Sequence, residues 1–537
     1  MSDKEKAPRN TGSGPGRRAR LGLGALSGLL AGFAALAVAE LVAAAVRPQA
    51  GPVVAVGGAA IDRTPTAVKD WAIRTFGTAD KLILQLGILT VLALFAAVLG
   101  VVALRHRRAG AAGVLVFGVV GAAAATSRPD STSLADALPS VVGAIVAGAL
   151  LYVLIGRLTS PAGSPGTTSP EREEGWDRRR FVIAATAAAA ASSGAGVLGR
   201  SLNASSGREA VASRRNVVLP APASPARAVP RGAQARVKGV SPFITPNEDF
   251  YRVDTALVVP KVDATTWRLR IHGQGVRRPL TLSFDDLLRR DLVERDITLT
   301  CVSNEVGGPY VGNARWIGVR LADLLREAGV RPPSRGGPAD QLVARSVDGM
   351  TIGTPVEEVM DGRDAMLAVG MNGEPLPFTH GFPVRMVVPG LYGYVSACKW
   401  IKDIELTTFD AYDTYWVKRD WAREAPVKTQ SRIDTPKPFA RPGAGTVMVA
   451  GVAWAQHRGI DKVEIRVDDG PWRQATLAAE DSRDTWRQWT YAWDARKGGH
   501  TLTVRATDRT GRTQTDKRTR TVPDGASGWH SVVVTVE

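Results

Sequence analysis

Cysteine is scarce: a chain of 537 residues holds two, Cys301 and Cys398. Two thiols allow one disulfide at most in an exported domain, and no CxxC pair, haem-attachment motif or zinc-ligand spacing is present. Histidines number six, and none falls inside a long apolar run, so facing ligands for a membrane haem are missing. A basic patch interleaved with aromatics is missing too, so the formal charge of +17 does not describe a nucleic-acid surface. The charge stands instead beside apolar stretches, at Arg17, Arg18 and Arg20, at Arg105, Arg107 and Arg108, and at Arg178, Arg179 and Arg180.

Those stretches form a consistent set. Leu21 to Val46, Leu82 to Leu104, Ala109 to Thr126 and Leu138 to Ile155 are each long and apolar enough to cross a bilayer. Basic residues precede the first, separate the second from the third, and follow the fourth at Arg157. With the N-terminus inside, every cluster is cytoplasmic, as the positive-inside rule requires, and Arg47 to Lys81 and Ser127 to Ala137 face outside. Glu40, a carboxylate within the first run, is either a functional group or a side chain near enough to the end to reach the interface. Residues 159–177 read as a polar linker rich in Ser, Pro, Gly and Glu. Arg178 to Arg180 then open an alanine-rich, mildly apolar segment to Leu198, which resembles a twin-arginine export signal in an internal position. An ordinary fifth span is the other reading, and both place residues after 200 outside the cytoplasm. Residues 201–241, with no periodicity, read as a flexible tether.

The chemistry-bearing stretch begins at Asp296. Ile297 to Thr300 has the pattern of a buried strand; it stops on Cys301 and opens into a loop holding Gly307 and Gly308. A second apolar strand and a helix over Leu321 to Ala328 follow. A thiol at a strand end beside paired glycines lets a large group approach both sulfur and backbone, and soft thiolates bind soft metals. The residues alone equally allow Cys301 to be a small buried hydrophobe. Ser283 begins a capped helix, Leu342 to Ser346 is a strand leading to Asp348-Gly349, and Asn372-Gly373 is a hairpin turn.

Two segments carry a family resemblance. Asp296 to Leu321, with Cys301, Asn304, Gly307-Gly308 and Asn313-Ala314-Arg315-Trp316, is similar to the metal-ligand segment of the sulfite oxidase family. Asn372 to Gly393, then Lys399-Trp400-Ile401, resembles that family's pterin-binding segment, and the likeness covers roughly residues 240–537. The resemblance implies an α+β domain binding molybdopterin with one molybdenum, Cys301 being the metal ligand and catalytic thiolate, and Cys398 a small buried residue. For the pterin it implies Asn247, Phe250 and Tyr251 from a first loop, Asp348, His380 and Arg385, and then Tyr394, Ser396 and Lys399. It further implies oxygen-atom transfer to or from a small substrate, with no haem in the chain and a separate electron carrier, a cytochrome or a quinone-linked protein. Sulfite-oxidising members carry two arginines soon after the ligand cysteine and a tyrosine in the substrate pocket. Glu305, Val306 and Ile352 stand at those places here, and Arg252 sits one place early for a third arginine, so fast sulfite oxidation is not expected.

Past Thr408, residues 410–442 read as an aromatic-bearing connector. Thr446 to Trp454, Lys462 to Val467, Trp486 to Trp493 and Thr501 to Ala506 are short strands, with a turn at Asp468-Asp469-Gly470, spaced as in an immunoglobulin-like β-sandwich. This part resembles the family's dimerisation domain, which implies a homodimer and makes Arg458 the nearest arginine able to enter the pocket. The expected order is a membrane domain of four transmembrane α-helices (1–158), a linker with a fifth hydrophobic segment (159–200), a tether (201–241), the catalytic domain (242–409) and the sandwich (410–537). The expected protein is a multi-pass membrane oxidoreductase with its catalytic domain outside the cytoplasm. A sulfoxide- or N-oxide-type reductase fits the same fold, and a cofactor-free surface receptor or adhesin is the alternative of another class.

Overall fold

The computed structural model describes residues 17–159, apart from 66, 67, 69, 70, 73, 74, 77–79, 130 and 132, and residues 178–537. All but the first residue of the expected 159–177 linker therefore lie outside the described residues. The chain divides into two units, Met1–Gly207 with Thr255–Val258, and Arg208–Asp254 with Val259–Glu537.

The first unit is helical: α1 (Arg17–Val46), α2 (Pro52–Arg63), α3 (Asp80–Ala103), α4 (Arg107–Thr126), α5 (Leu138–Thr159) and the first part of α6 (Arg178–Asn216). Five of these are long and apolar enough to cross a membrane, and they coincide with the five expected segments. Small residues let the helices approach closely, the usual way that transmembrane helices associate. A Cβ on Gly28 of α1 would stand 1.9 Å from the Ala96 carbonyl oxygen of α3, and one on Gly100 of α3 would stand 2.1 Å from Gly24 O. Arg47 and the buried Asp136 pair at 2.8 Å beyond the helix ends. Glu40 accepts a hydrogen bond from Asn203 Nδ2 at 3.0 Å, which ties α1 to α6. The 12-residue α2 was not foreseen: it lies in the Arg47 to Lys81 segment and is too short to cross.

The second unit begins inside α6, which runs on as a helix to Asn216 where tether had been expected. The chain after it is fixed to its own unit by hydrogen bonds: Ser224 bridges Val293, and Ala235 N donates to Gln488 Oε1 at 2.6 Å. Two sheets then build the central part. One has the order β2-β1-β10-β5-β6, from β1 (Arg268–Gly273), β2 (Leu280–Ser283), β5 (Gln341–Ser346), β6 (Thr351–Pro355) and β10 (Ile401–Thr407), with β1 and β10 parallel. The other has the order β3-β4-β7-β8, from β3 (Leu292–Thr300), β4 (Val311–Arg320), β7 (Met366–Met371) and β8 (Glu374–Pro375), with β9 (Arg385–Val387) paired to β7. Along β3 and β7 burial is nearly continuous rather than alternating, because both faces are covered. Local signals behave as read. Ser283 and Asp286 form a reciprocal capping box, and Asn372 and Gly373 take φ of 52° and 83°, the left-handed pair that a tight hairpin needs.

The C-terminal part has two four-stranded sheets. Their orders are β11-β12-β16-β15 and β14-β13-β17-β18, and Val449, Val463, Ile465, Trp489, Leu502 and Val534 from both sheets share one core. The strands are β11 (Gln430–Thr435), β12 (Gly445–Trp454), β13 (Ile460–Val467), β14 (Arg473–Gln474), β15 (Thr476–Leu477), β16 (Arg487–Ala495), β17 (Gly498–Asp508) and β18 (His530–Val536). The four expected strands are present, but the expected connector contains β11. Its Gln-Ser-Arg-Ile-Asp-Thr sequence shows no apolar period because its buried polar groups bond one another, as Arg432 does with Asp434 at 2.7 Å and Ser431 with Gln514 at 2.7 Å.

Candidate active site

Cys301 is the first residue past the end of β3, and 9% of it is exposed. Its N–H donates to Tyr310 O and its carbonyl accepts from Asn304 N, each at 3.0 Å, while Asn304 Oδ1 accepts from Tyr310 N at 2.8 Å. The loop from 301 to 310 is thus closed on itself around a buried sulfur. Burial pushes the thiol pKa up; hydrogen bonds with Ser303 and the Lys399 charge oppose that. A soft cation at the sulfur would reverse the burial effect, since a coordinating thiol loses its proton.

The first loop folds onto the same place. Thr245 N donates to Asn313 O at 2.8 Å, and the loop then lays Phe250 on Tyr251, stacked at 5.1 Å. Phe250 meets Trp316 and His380 edge-on, at 5.8 and 5.6 Å. Tyr251 is pushed well above its ordinary pKa by burial and then by Cys301, with Arg385 acting the other way. His380 Nε2 donates to Asn247 O at 2.9 Å; burial, and then the Arg385 charge, lower its pKa to about 4. Arg385, 6% exposed, holds its guanidinium 5.2 Å from the Trp316 ring centre, and its Nε has no partner among the described residues. Burial lowers its pKa.

Lys399 Nζ donates to Asp254 Oδ2 at 2.9 Å, and Arg252 Nε reaches the same carboxylate at 2.9 Å. Asp348, whose pKa burial raises, accepts weakly from Met350 N at 3.3 Å. Cys301, Phe250, Tyr251, His380, Arg385, Asn247, Lys399 and Asp348 are therefore linked through contacts or charge. Two expected pterin residues turn elsewhere: Ser396 Oγ is bonded to Leu391 O and Tyr392 O, both at 3.0 Å, and Tyr394 OH to Ala422 O at 2.7 Å. Their hydroxyl protons are thus used on the local backbone. Arg458 is held by Asp508 at 2.8 Å and by Val427 O at 2.9 Å within the C-terminal sheets, and Arg315 forks onto Asp296 at 2.8 and 2.7 Å. Cys398 is buried, as expected. His272, Asp403 and Glu405 lie close enough to hold a cation, but Arg270 and Arg345 already pair with these carboxylates, at 3.2 and 3.7 Å. Asp254 and Trp316 were not singled out in the sequence as site residues, although Trp316 stands in the first matched segment.

A buried arginine without a counter-ion needs an anion, and a buried thiol on a strand end suits a soft metal. Together they fit a cofactor that brings both, a phosphate-bearing dithiolene holding molybdenum, and the domain is of the molybdopterin-binding kind. Residues 256–416 match the oxidoreductase molybdopterin binding domain. Over 291 residues the chain is 31% identical to the mitochondrial sulfite oxidases of Rattus norvegicus and Homo sapiens, covering 46% of this chain and 52% of each relative. Over 201 residues it is 35% identical to NADH nitrate reductase 1 of Oryza sativa subsp. japonica, covering 33% of this chain and 21% of that relative. Among solved structures it is similar to the sulfane dehydrogenase SoxCD of Paracoccus pantotrophus, at 26% identity, 56% of this chain, 85% of that chain and a TM-score of 0.47. The chain spans about half the length of the sulfite oxidases it matches. Residues 256–416 are thus an oxidoreductase molybdopterin-binding domain, in a chain similar to the sulfite oxidases.

Proposed function

We propose that this chain is a membrane-anchored oxidoreductase that binds one molybdopterin and moves an oxygen atom to or from a small substrate outside the cytoplasm. The observation that carries the reading is the pairing of a buried strand-end thiol, Cys301, with a buried Arg385 whose Nε has no partner among the described residues. Bound there, the cofactor supplies two-electron oxygen-atom chemistry at molybdenum, and the chain's own residues position it and exclude water. Cys301 ligates the metal as a thiolate. Arg385 donates to the pterin's phosphate, and Trp316 under its guanidinium keeps the fork in place. His380, neutral because it is buried, holds the Asn247 backbone with one nitrogen and leaves the other for the ligand. Asp254 pairs with both Lys399 and Arg252, whereas Arg385 has no acidic partner among the described residues.

Glu305, Val306 and Ile352 make sulfite a poor fit, which leaves another sulfur centre, or in the reverse direction a sulfoxide or N-oxide, as the substrate class. Electrons leave or arrive through a separate carrier. The C-terminal sheets serve as an immunoglobulin-like dimerisation domain. The test is molybdenum content by mass spectrometry, with a substrate panel run against artificial electron donors and acceptors. Wild type should hold about one metal per chain and Cys301→Ala almost none. Metal-free wild type, made with the cofactor available, would return the chain to the surface-receptor reading.

A further inference from the structure

The strand that carries Cys301 lies at the edge of its sheet: β3 has β4 on one side only. Buried edge groups must be satisfied from elsewhere, and the outer edge of β3 is filled from far along the chain. Ser224 N donates to Leu292 O at 3.2 Å and Glu294 N to Ser224 O at 2.9 Å. Thr298 N donates to Asp484 O at 2.9 Å, and Trp486 N to Thr298 Oγ1 at 2.7 Å. Two further acceptors on this strand, Thr298 O and Thr300 Oγ1, both take a bond from one group, Gln456 Nε2, at 3.0 and 2.9 Å.

Gln456 sits just beyond the end of β12 and is 1% exposed. Its Oε1 is buried without a partner among the described residues. An amide placed for general packing would satisfy both ends, because an orphaned acceptor costs stability. This one satisfies only the end that faces the thiol-bearing strand. Thr300, which it holds, is the residue before Cys301.

We propose that Gln456 is a positioning residue for the Cys301 thiolate, which makes the C-terminal sheets part of the active site's framework. By bridging Thr298 and Thr300 it fixes the strand end from which the sulfur projects, and with it the direction of approach to the metal. This rests on the reading of Cys301 as the metal ligand.

The experiment uses the full chain, prepared with and without cofactor. In the cofactor-free protein, Cys301 alkylation by iodoacetamide is followed by peptide mass spectrometry, with Cys398 as the internal reference. Gln456→Leu and Gln456→Met should each raise the Cys301 rate about fivefold, as expected for losing hydrogen bonds of ordinary net strength, and leave Cys398 unchanged. Asp508→Asn, which breaks the Arg458 pair inside the C-terminal sheets, should lower the melting temperature without raising that rate. In the loaded protein both Gln456 variants should shift the thiolate-to-metal charge-transfer band at unchanged molybdenum content. A wild-type alkylation rate in both Gln456 variants, or an equal rise in Asp508→Asn, overturns the proposal alone. Molybdenum fully retained in Cys301→Ala overturns the ligand reading, and the proposal with it.

Discussion

Replacing Arg385 with methionine should move stability in opposite directions with and without the cofactor. In the chain itself Arg385 is 6% exposed, forms no ion pair with an acid among the described residues, and faces the Trp316 ring with its guanidinium at 5.2 Å. A buried, unpaired charge costs several kcal/mol, of which a desolvated cation–π contact returns about 2 kcal/mol. Methionine keeps much of the volume and removes the charge, so the cofactor-free protein should gain about 1–3 kcal/mol. In the loaded protein the same change deletes charge-assisted bonds to the phosphate, worth roughly 1.5–3 kcal/mol, or about 10- to 150-fold in pterin affinity. Melting curves of both forms, with released pterin measured by fluorescence, give the two signs separately. For a unit of this size each kcal/mol moves the midpoint by about 2–4 °C. Arg385→Lys should fall between, because it keeps the charge and loses the planar fork. Equal destabilisation of both forms would make Arg385 a structural residue, and unchanged pterin content would remove this segment from the cofactor site.

Sulfite should be turned over slowly, because Glu305, Val306 and Ile352 offer no charge-assisted donors; steady-state turnover near a typical 10 per second, roughly, at micromolar sulfite would refute this. His380 sets an acid limit on the cofactor-free protein. Its folded pKa is depressed to about 4 by burial and then by the Arg385 charge, whereas the unfolded chain takes the proton near 6.5, roughly. The stabilisation is therefore full above about pH 6.5 and is lost, by up to about 3 kcal/mol, as pH falls from there toward 4. His530, lowered to about 4 chiefly by burial, acts in the same window, so His380→Asn should remove about half of the acid loss seen in denaturant titrations.

What could be read from the sequence was whatever rests on short-range pattern. The apolar runs, the Ser283 cap, the Asn372-Gly373 hairpin and the strand ending on Cys301 all follow from local period or turn chemistry. What could not be read has long-range causes. β11 is buried yet polar, and its side chains are satisfied in part by Gln514 and Ala526, residues that only the fold brings near. The segment after Asn216 looks like tether because it lacks an apolar period, yet its backbone completes the β3 edge at Ser224. Gln456 carries no motif at all; its importance comes from the strand edge that it meets. β18 is the exception, since its Val-Val-Val-Thr-Val run is β-branched throughout and could have been recognised.

The candidate site draws on residues almost to the end of the chain, and this bears on how the proposed location outside the cytoplasm would be reached. Asn313, fully buried, donates to Phe243 O at 3.0 Å and accepts from Thr298 Oγ1 at 3.0 Å, while Trp486 Nε1 donates to the same Phe243 carbonyl at 2.9 Å. First loop, ligand strand and C-terminal sheets thus share one hydrogen-bond network, and the cofactor meets its contacts only when all three are in place. A cofactor loaded in the cytoplasm must then cross inside folded protein. The arginines at Arg178 to Arg180 open α6, which has no acidic residue in its first turn, a charge pattern shared by an export signal read by folded-protein machinery and by an ordinary span. An ordinary fifth span instead threads the chain unfolded and leaves loading for the far side. The two differ in the order of events. Under folded export, starving cells of the cofactor, or replacing Arg178 to Arg180 with lysine, should leave α1, α3, α4 and α5 inserted and the catalytic part protected from protease on intact cells. A catalytic part that stays protease-accessible under both treatments would establish the ordinary span.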